Sequence, residues 1–153
     1  MNCNLGNNLK RLRLAKNIEE QTVNLAEHPH EFYSYINLLV AYLFANENQK
    51  ALEVYLNAKK EFADQALLYT FVGDLYRRLK MYDQAFECWN KTLELNSEIV
   101  SAMWSKATCY EEIGNHQAAY QVWLEIIEWF ETRGYEIEVE EPRKRARDCK
   151  NKI

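Results

Sequence analysis

Apolar residues in this chain recur three and four positions apart within short stretches, and the stretches themselves recur. Sliding the sequence against itself by 34 positions puts Tyr42, Tyr76 and Tyr110 in one column, Ala51, Ala85 and Ala119 in a second, and Tyr55, Trp89 and Trp123 in a third. Looser columns hold Tyr35, Tyr69 and Met103, then Leu38, Val72 and Lys106, then Leu39, Gly73 and Ala107, and finally Ala58, Thr92 and Ile126. A fixed period of this length marks a stacked supersecondary unit. Three full periods run over 32–65, 66–99 and 100–133.

Each period reads as two helices joined by a short polar break, "ANENQ", "LKMYD" or "EIGNHQ". In the middle copy Tyr69, Val72, Gly73 and Tyr76 form one helical stripe and Ala85, Trp89 and Leu93 another. A pair of this size cannot bury both stripes alone, so stacking on the next pair must close the core. The alanine column lets two backbones approach where helices cross, and the aromatic four residues on fills the space beside it.

The ends depart from the period. Residues 9–27 read as a helix that caps the first pair within an N-terminal segment 1–31, with Leu12, Ile18 and Leu25 inward. Beyond the repeats, which span 32–133, the segment 134–153 breaks the pattern. There "GYEIEVEE" alternates Tyr135, Ile137 and Val139 and is expected to be extended, and Pro142 is expected to start a basic capping helix with Ala146, Cys149 and Ile153 on one face. The tail from Pro142 on carries Arg143, Lys144, Arg145, Arg147, Lys150 and Lys152 against Asp148, a net +5 in a chain whose total is −4. Tail and body therefore attract.

Composition adds that only four glycines and two prolines are present, which leaves little turn chemistry and favours helices over strands. Cys3, Cys88, Cys109 and Cys149 lie far apart and without histidines at zinc spacing, so neither disulfide nor metal is expected, and no cofactor. No secretory apolar run and no membrane-spanning stretch is evident, and the expected location is cytoplasmic. No nucleophile with a base, no phosphate-cradling loop and no H-E-x-x-H is present, so the chain is not expected to be an enzyme.

The middle period, "YTFVGDLYRRLKMYDQAFECWNKTLELNS", resembles the tetratricopeptide repeat. Tyr69 stands at that repeat's tryptophan place, Gly73 at its glycine, Tyr76 at its tyrosine, Ala85 at its alanine and Trp89 at its phenylalanine. Leu39 and Ala107 replace the glycine in the flanking copies, and the closing proline is missing from all three. The resemblance implies an all-α superhelical solenoid of helical hairpins with capping helices at both ends. It implies a protein-interaction scaffold whose first helices line a concave groove for a peptide or partner helix, with no membrane partner.

That groove would be lined by Tyr33, Ile36, Asn37 and Val40, then Leu67, Thr70, Phe71 and Asp74, then Ser101, Trp104, Ser105 and Thr108. A stripe of Tyr33, Phe71 and Trp104 would be exposed for binding unless a terminal helix covers it. The family's carboxylate clamp for chaperone tails is absent, because its places hold Ile36, Val40, Phe71, Ser101 and Ser105. At the groove edge Arg77 and Arg78 face Glu111 and Glu112, as a surface ion pair. A weaker resemblance links "LGNNLKRLRLAKNI" to the opening helix of repressor-type helix-turn-helix proteins, which implies a bacterial-type regulator touching DNA through Lys10, Arg11, Arg13 and Lys16. The recognition helix that should follow is missing and the net charge is negative, so nucleic acid is the disfavoured partner.

Overall fold

The computed structural model describes residues 3–153, with side chains from residue 6 onward, so the Cys3 thiol lies outside the described residues. Eight helices succeed one another: α1 (Cys3–Glu27), α2 (Phe32–Phe44), α3 (Asn48–Ala58), α4 (Ala66–Arg78), α5 (Tyr82–Leu95), α6 (Val100–Glu112), α7 (His116–Glu131) and α8 (Glu140–Lys150). No strand occurs among the described residues. Each helix packs on the next, while α2 also touches α4 and α4 touches α6. The first helices of the pairs thus form one layer and the second helices another, an all-α solenoid.

The three polar breaks are one turn repeated. Asn46, Lys80 and Gly114 each take a left-handed conformation, with φ of 59°, 58° and 77°. Beside them the amides of Glu47, Met81 and Asn115 donate to the carbonyls of Tyr42, Tyr76 and Tyr110 over 2.8–2.9 Å. This closes the orphan carbonyls at the helix ends in the way a left-handed cap does.

The columns are the core. Ala51, Ala85 and Ala119 have no exposed surface, and neither do Trp89 and Trp123. Gly73 is required where it stands, because a methyl group there would land inside the Trp89 indole. Its counterparts Leu39 and Ala107 are buried in the same core clusters as Tyr55 and Trp123, so the column is filled by different side chains in the three repeats.

At the N-terminal end, Ile18 and Leu25 of α1 pack against the first core cluster as expected. Leu12 does not; it is 68% exposed. The inward stripe runs instead through Leu14, Ile18, Gln21 and Leu25, because six positions from Leu12 to Ile18 turn a helix well off one face. Moreover α1 is nearly twice as long as α2, so its first half overhangs its neighbour.

At the C-terminal end α8 folds back on α7 and buries Ala146 and Cys149, while Ile153 lies beyond the helix and is exposed. The segment expected to be extended is a series of turns. Val139 is helical (φ −79°, ψ −16°) and buried, whereas Ile137 points to solvent. A lone strand would leave its peptide groups without a ladder, and none of the described residues offers one. The helix starts at Glu140, and Pro142 sits within its first turn, where a missing N–H leaves no bond unmade.

Candidate functional site

One register runs along each of α2, α4 and α6, at a first position and then four, seven and eleven positions on. In α2 this is Tyr33, Asn37, Val40 and Phe44; in α4, Leu67, Phe71, Asp74 and Arg78; in α6, Ser101, Ser105, Thr108 and Glu112. Tyr33 is 67% exposed and Phe44 71%, large apolar side chains held in water. Between α2 and α4 a hollow of about 150 Å³ is lined by Val40, Leu43, Phe44, Phe71, Asp74 and Arg78.

Most of the residues expected in the groove fall on this register, namely Tyr33, Asn37, Val40, Leu67, Phe71, Asp74, Ser101, Ser105 and Thr108. Ile36 and Trp104 do not. Ile36 is buried at 5% in the first core cluster, and Trp104 stands edge-on to Trp123, ring centres 4.9 Å apart, in the last. Thr70, at the same place in α4, turns inward to the hydroxyl of Thr92 at 3.3 Å. This column faces the second helix of its own pair, so the stripe of Tyr33, Phe71 and Trp104 is not continuous. Phe44 went unread, although one more turn of the Tyr33, Asn37, Val40 stripe reaches it.

Asp74 lies at the floor of the hollow. Its Oδ1 is buried and meets no hydrogen-bond donor among the described residues, and the Thr108 hydroxyl one repeat on is likewise buried without a partner. Burial pushes the Asp74 carboxyl above the usual carboxylate range, against the opposing pull of Ser105, Arg77 and Arg78. A buried acceptor of this kind favours a ligand that brings a donor. At the rim, the Arg78 guanidinium donates to the Leu43 carbonyl at 2.7 Å.

The expected edge pairing is partly realised. Arg77 meets Glu112 at 3.6 Å. Glu111 instead turns towards α8, where its carboxylate accepts from Nε and Nη2 of Arg145 at 3.0 and 2.7 Å, from the Trp123 indole N–H at 2.6 Å and from the Cys149 thiol at 3.5 Å. Burial alone would raise the Glu111 carboxyl, but these donors hold it below its ordinary value. This node fastens the tail helix. Sequence charge indicated attraction of the tail but not which acid receives it.

The geometry defines a class: an all-α solenoid of helical hairpins. Among solved structures it is similar to TTC0263, a thermophilic TPR protein of Thermus thermophilus, with a TM-score of 0.75 at 19% identity over 92% of this chain and 75% of the other. It is also similar to the first TPR of Spaghetti (RPAP3) bound to an HSP90 peptide, with a TM-score of 0.67 at 16% identity over 79% of this chain and 91% of that one. In sequence, a TPR repeat-containing protein of Methanocaldococcus jannaschii, MJ0941, is 36% identical over 68 residues. That match takes in 44% of this chain and spans only 20% of the relative's length. No family model matches the chain. The chain has the fold of tetratricopeptide-repeat proteins. No helix among the described residues is long and apolar enough to cross a membrane.

Proposed function

We propose that this chain is a non-catalytic protein-interaction module that holds a peptide or a partner helix in the groove of α2, α4 and α6. The observation that carries the reading is the apolar hollow of Val40, Phe44 and Phe71 with an unpartnered Asp74 carboxylate oxygen at its floor. Such a hollow fits an apolar side chain next to a hydrogen-bond donor. The Spaghetti neighbour, which carries a peptide on the same fold, supports a peptide ligand. The ligand proposed here is not an acidic chaperone tail, because Val40, Phe71 and Ser105 stand where the clamp needs cations and amides, and Asp74 adds a like charge.

The test is capture from native lysate by the wild type and by a Phe44→Ser, Phe71→Ala variant, with the captured chain identified and rebound in purified form. Specific capture lost in the variant supports the reading, and equal capture by both defeats it. The regulator alternative rests on Lys10, Arg11, Arg13 and Lys16, all exposed on the overhanging half of α1. Salt-dependent retention on duplex DNA, abolished by Lys10→Ala and Arg11→Ala, would favour it over the groove.

A further inference from the structure

A second hollow, of about 340 Å³, lies away from the groove, where α3 and α5 flank the start and end of α4. Its walls are the rings of Tyr55, Tyr69 and Tyr76, and its rim carries Lys59, Gln84 and Lys91. The Tyr69 hydroxyl is already used, donating to the Ala63 carbonyl at 2.9 Å. The hydroxyls of Tyr55 and Tyr76 form no hydrogen bond among the described residues, although Tyr55 as a whole is 96% buried, being 4% exposed. Neither hydroxyl oxygen is among the buried unpartnered polar atoms, so both are free to donate to a molecule in the hollow. Burial raises the pKa of both phenols, so each keeps the proton it would donate. The Lys59 ammonium stands over the Tyr55 ring at 5.7 Å and Lys91 is paired only with Glu94 at 3.3 Å.

The repeat provides an internal control. One period on, the positions of Lys59, Tyr69, Gln84, Cys88 and Lys91 are held by Leu93, Met103, Ala118, Val122 and Glu125. There Leu93 packs into an apolar cluster and Tyr110 stacks on Phe86 at 4.3 Å. The packing rule of the solenoid thus puts apolar residues and an acid at this place in one inter-repeat junction and lysines with an amide in the other.

We propose that the junction of the first two repeats binds a small phosphate-bearing ligand, through the hydroxyls of Tyr55 and Tyr76 and the ammonium groups of Lys59 and Lys91. Four donors of which two are cationic match an oxyanion, and the three rings accommodate an apolar substituent on it. Glu87 is the one acid on the lining and opposes the anion.

The probe is inorganic phosphate, titrated into the full chain labelled with 15N, with phenyl phosphate and acetate as further arms. Saturable shifts centred on Lys59, Gln84, Cys88 and Lys91 are expected, tighter for phenyl phosphate than for phosphate and weakest for acetate. Tyr55→Phe and Lys59→Met should each weaken phosphate by about tenfold. Tyr55→Phe should leave the melting temperature nearly unchanged, since the hydroxyl it removes makes no hydrogen bond among the described residues. Glu87→Gln should tighten binding. The site is overturned if shifts fail to saturate or follow the basic residues of α1 and α8, or if Tyr55→Phe binds as well as wild type. Weaker phosphate binding by Glu87→Gln, or acetate as tight as phosphate, would overturn the phosphate assignment.

Discussion

The second and third repeats place a tryptophan at the same position, each with no exposed surface, and treat its polar edge differently. Trp89 lies flat against Gly73, and its indole N–H is buried without an acceptor. Trp123 shares a core cluster with Ala107 and donates its N–H to Glu111, which Arg145 of α8 also holds. The position of Glu111 is Arg77 in the second repeat, a donor where the indole needs an acceptor. One column can therefore be a pure packing column in one repeat and a polar node in the next. The apolar volume is the invariant, and the polar contact depends on what the neighbouring repeat or cap supplies.

The largest effect should come from removing the volume itself. Trp89→Ala and Trp123→Ala are each expected to cost about 3–5 kcal/mol, read by calorimetry or denaturant melts. A loss below about 1 kcal/mol in either would mean that the ring is not core, on the scale set for surface substitutions.

Replacing the indoles by phenyl rings sharpens the comparison. Trp123→Phe deletes a hydrogen bond to a charged group, worth about 1.5–3 kcal/mol, and leaves Glu111 with one donor fewer. Trp89→Phe deletes a donor that has no partner and should cost only its lost packing, less than about 1.5 kcal/mol. Equal losses would show that the Trp123 to Glu111 bond contributes nothing.

The pH dependence follows from the same node. Because the folded-state pKa of Glu111 is depressed below its unfolded value, the stability it contributes is fully present above the ordinary carboxylate pKa. It is lost as pH falls through the folded value. Melting temperature against pH in the acid range should fall less steeply for Glu111→Gln than for wild type, and parallel curves would remove Glu111 from the node.

Much of this was legible in the sequence because it rests on period and volume. The columns of Ala51, Tyr55 and their copies are spaced by the solenoid repeat and occupied by residues that only a buried crossing explains. The outward register of the first helices was legible to within one helical column, since Ile36 and Trp104 lie a single position from it. Rotation by one residue, about 100°, decides between groove and core, and hydrophobicity cannot report it when both faces are apolar. The segment after Arg133 was misread because alternation of Tyr135, Ile137 and Val139 carries strand information only where a partner strand exists. The Glu111 to Arg145 bond joins residues whose proximity depends on how α8 docks, which no spacing encodes.

The smallest effect tests the turn that the two repeats share. Gly114 takes its left-handed φ of 77° without strain, whereas Lys80 holds φ of 58° one period earlier with a Cβ attached. The conformation is demanded by the cap, since the neighbouring Met81 amide must reach the Tyr76 carbonyl at 2.9 Å. A non-glycine residue in that region costs roughly 1–2 kcal/mol, and glycine gives some of this back through its greater freedom in the unfolded chain. Lys80 is exposed and makes no ion pair among the described residues, so nothing else is lost with its side chain. Lys80→Gly should therefore stabilise the fold by up to about 1 kcal/mol, and Gly114→Lys should destabilise the third repeat by a similar amount. If the two substitutions leave melting unchanged, the turn relaxes to accept either residue and the shared cap is not a constraint on the repeat.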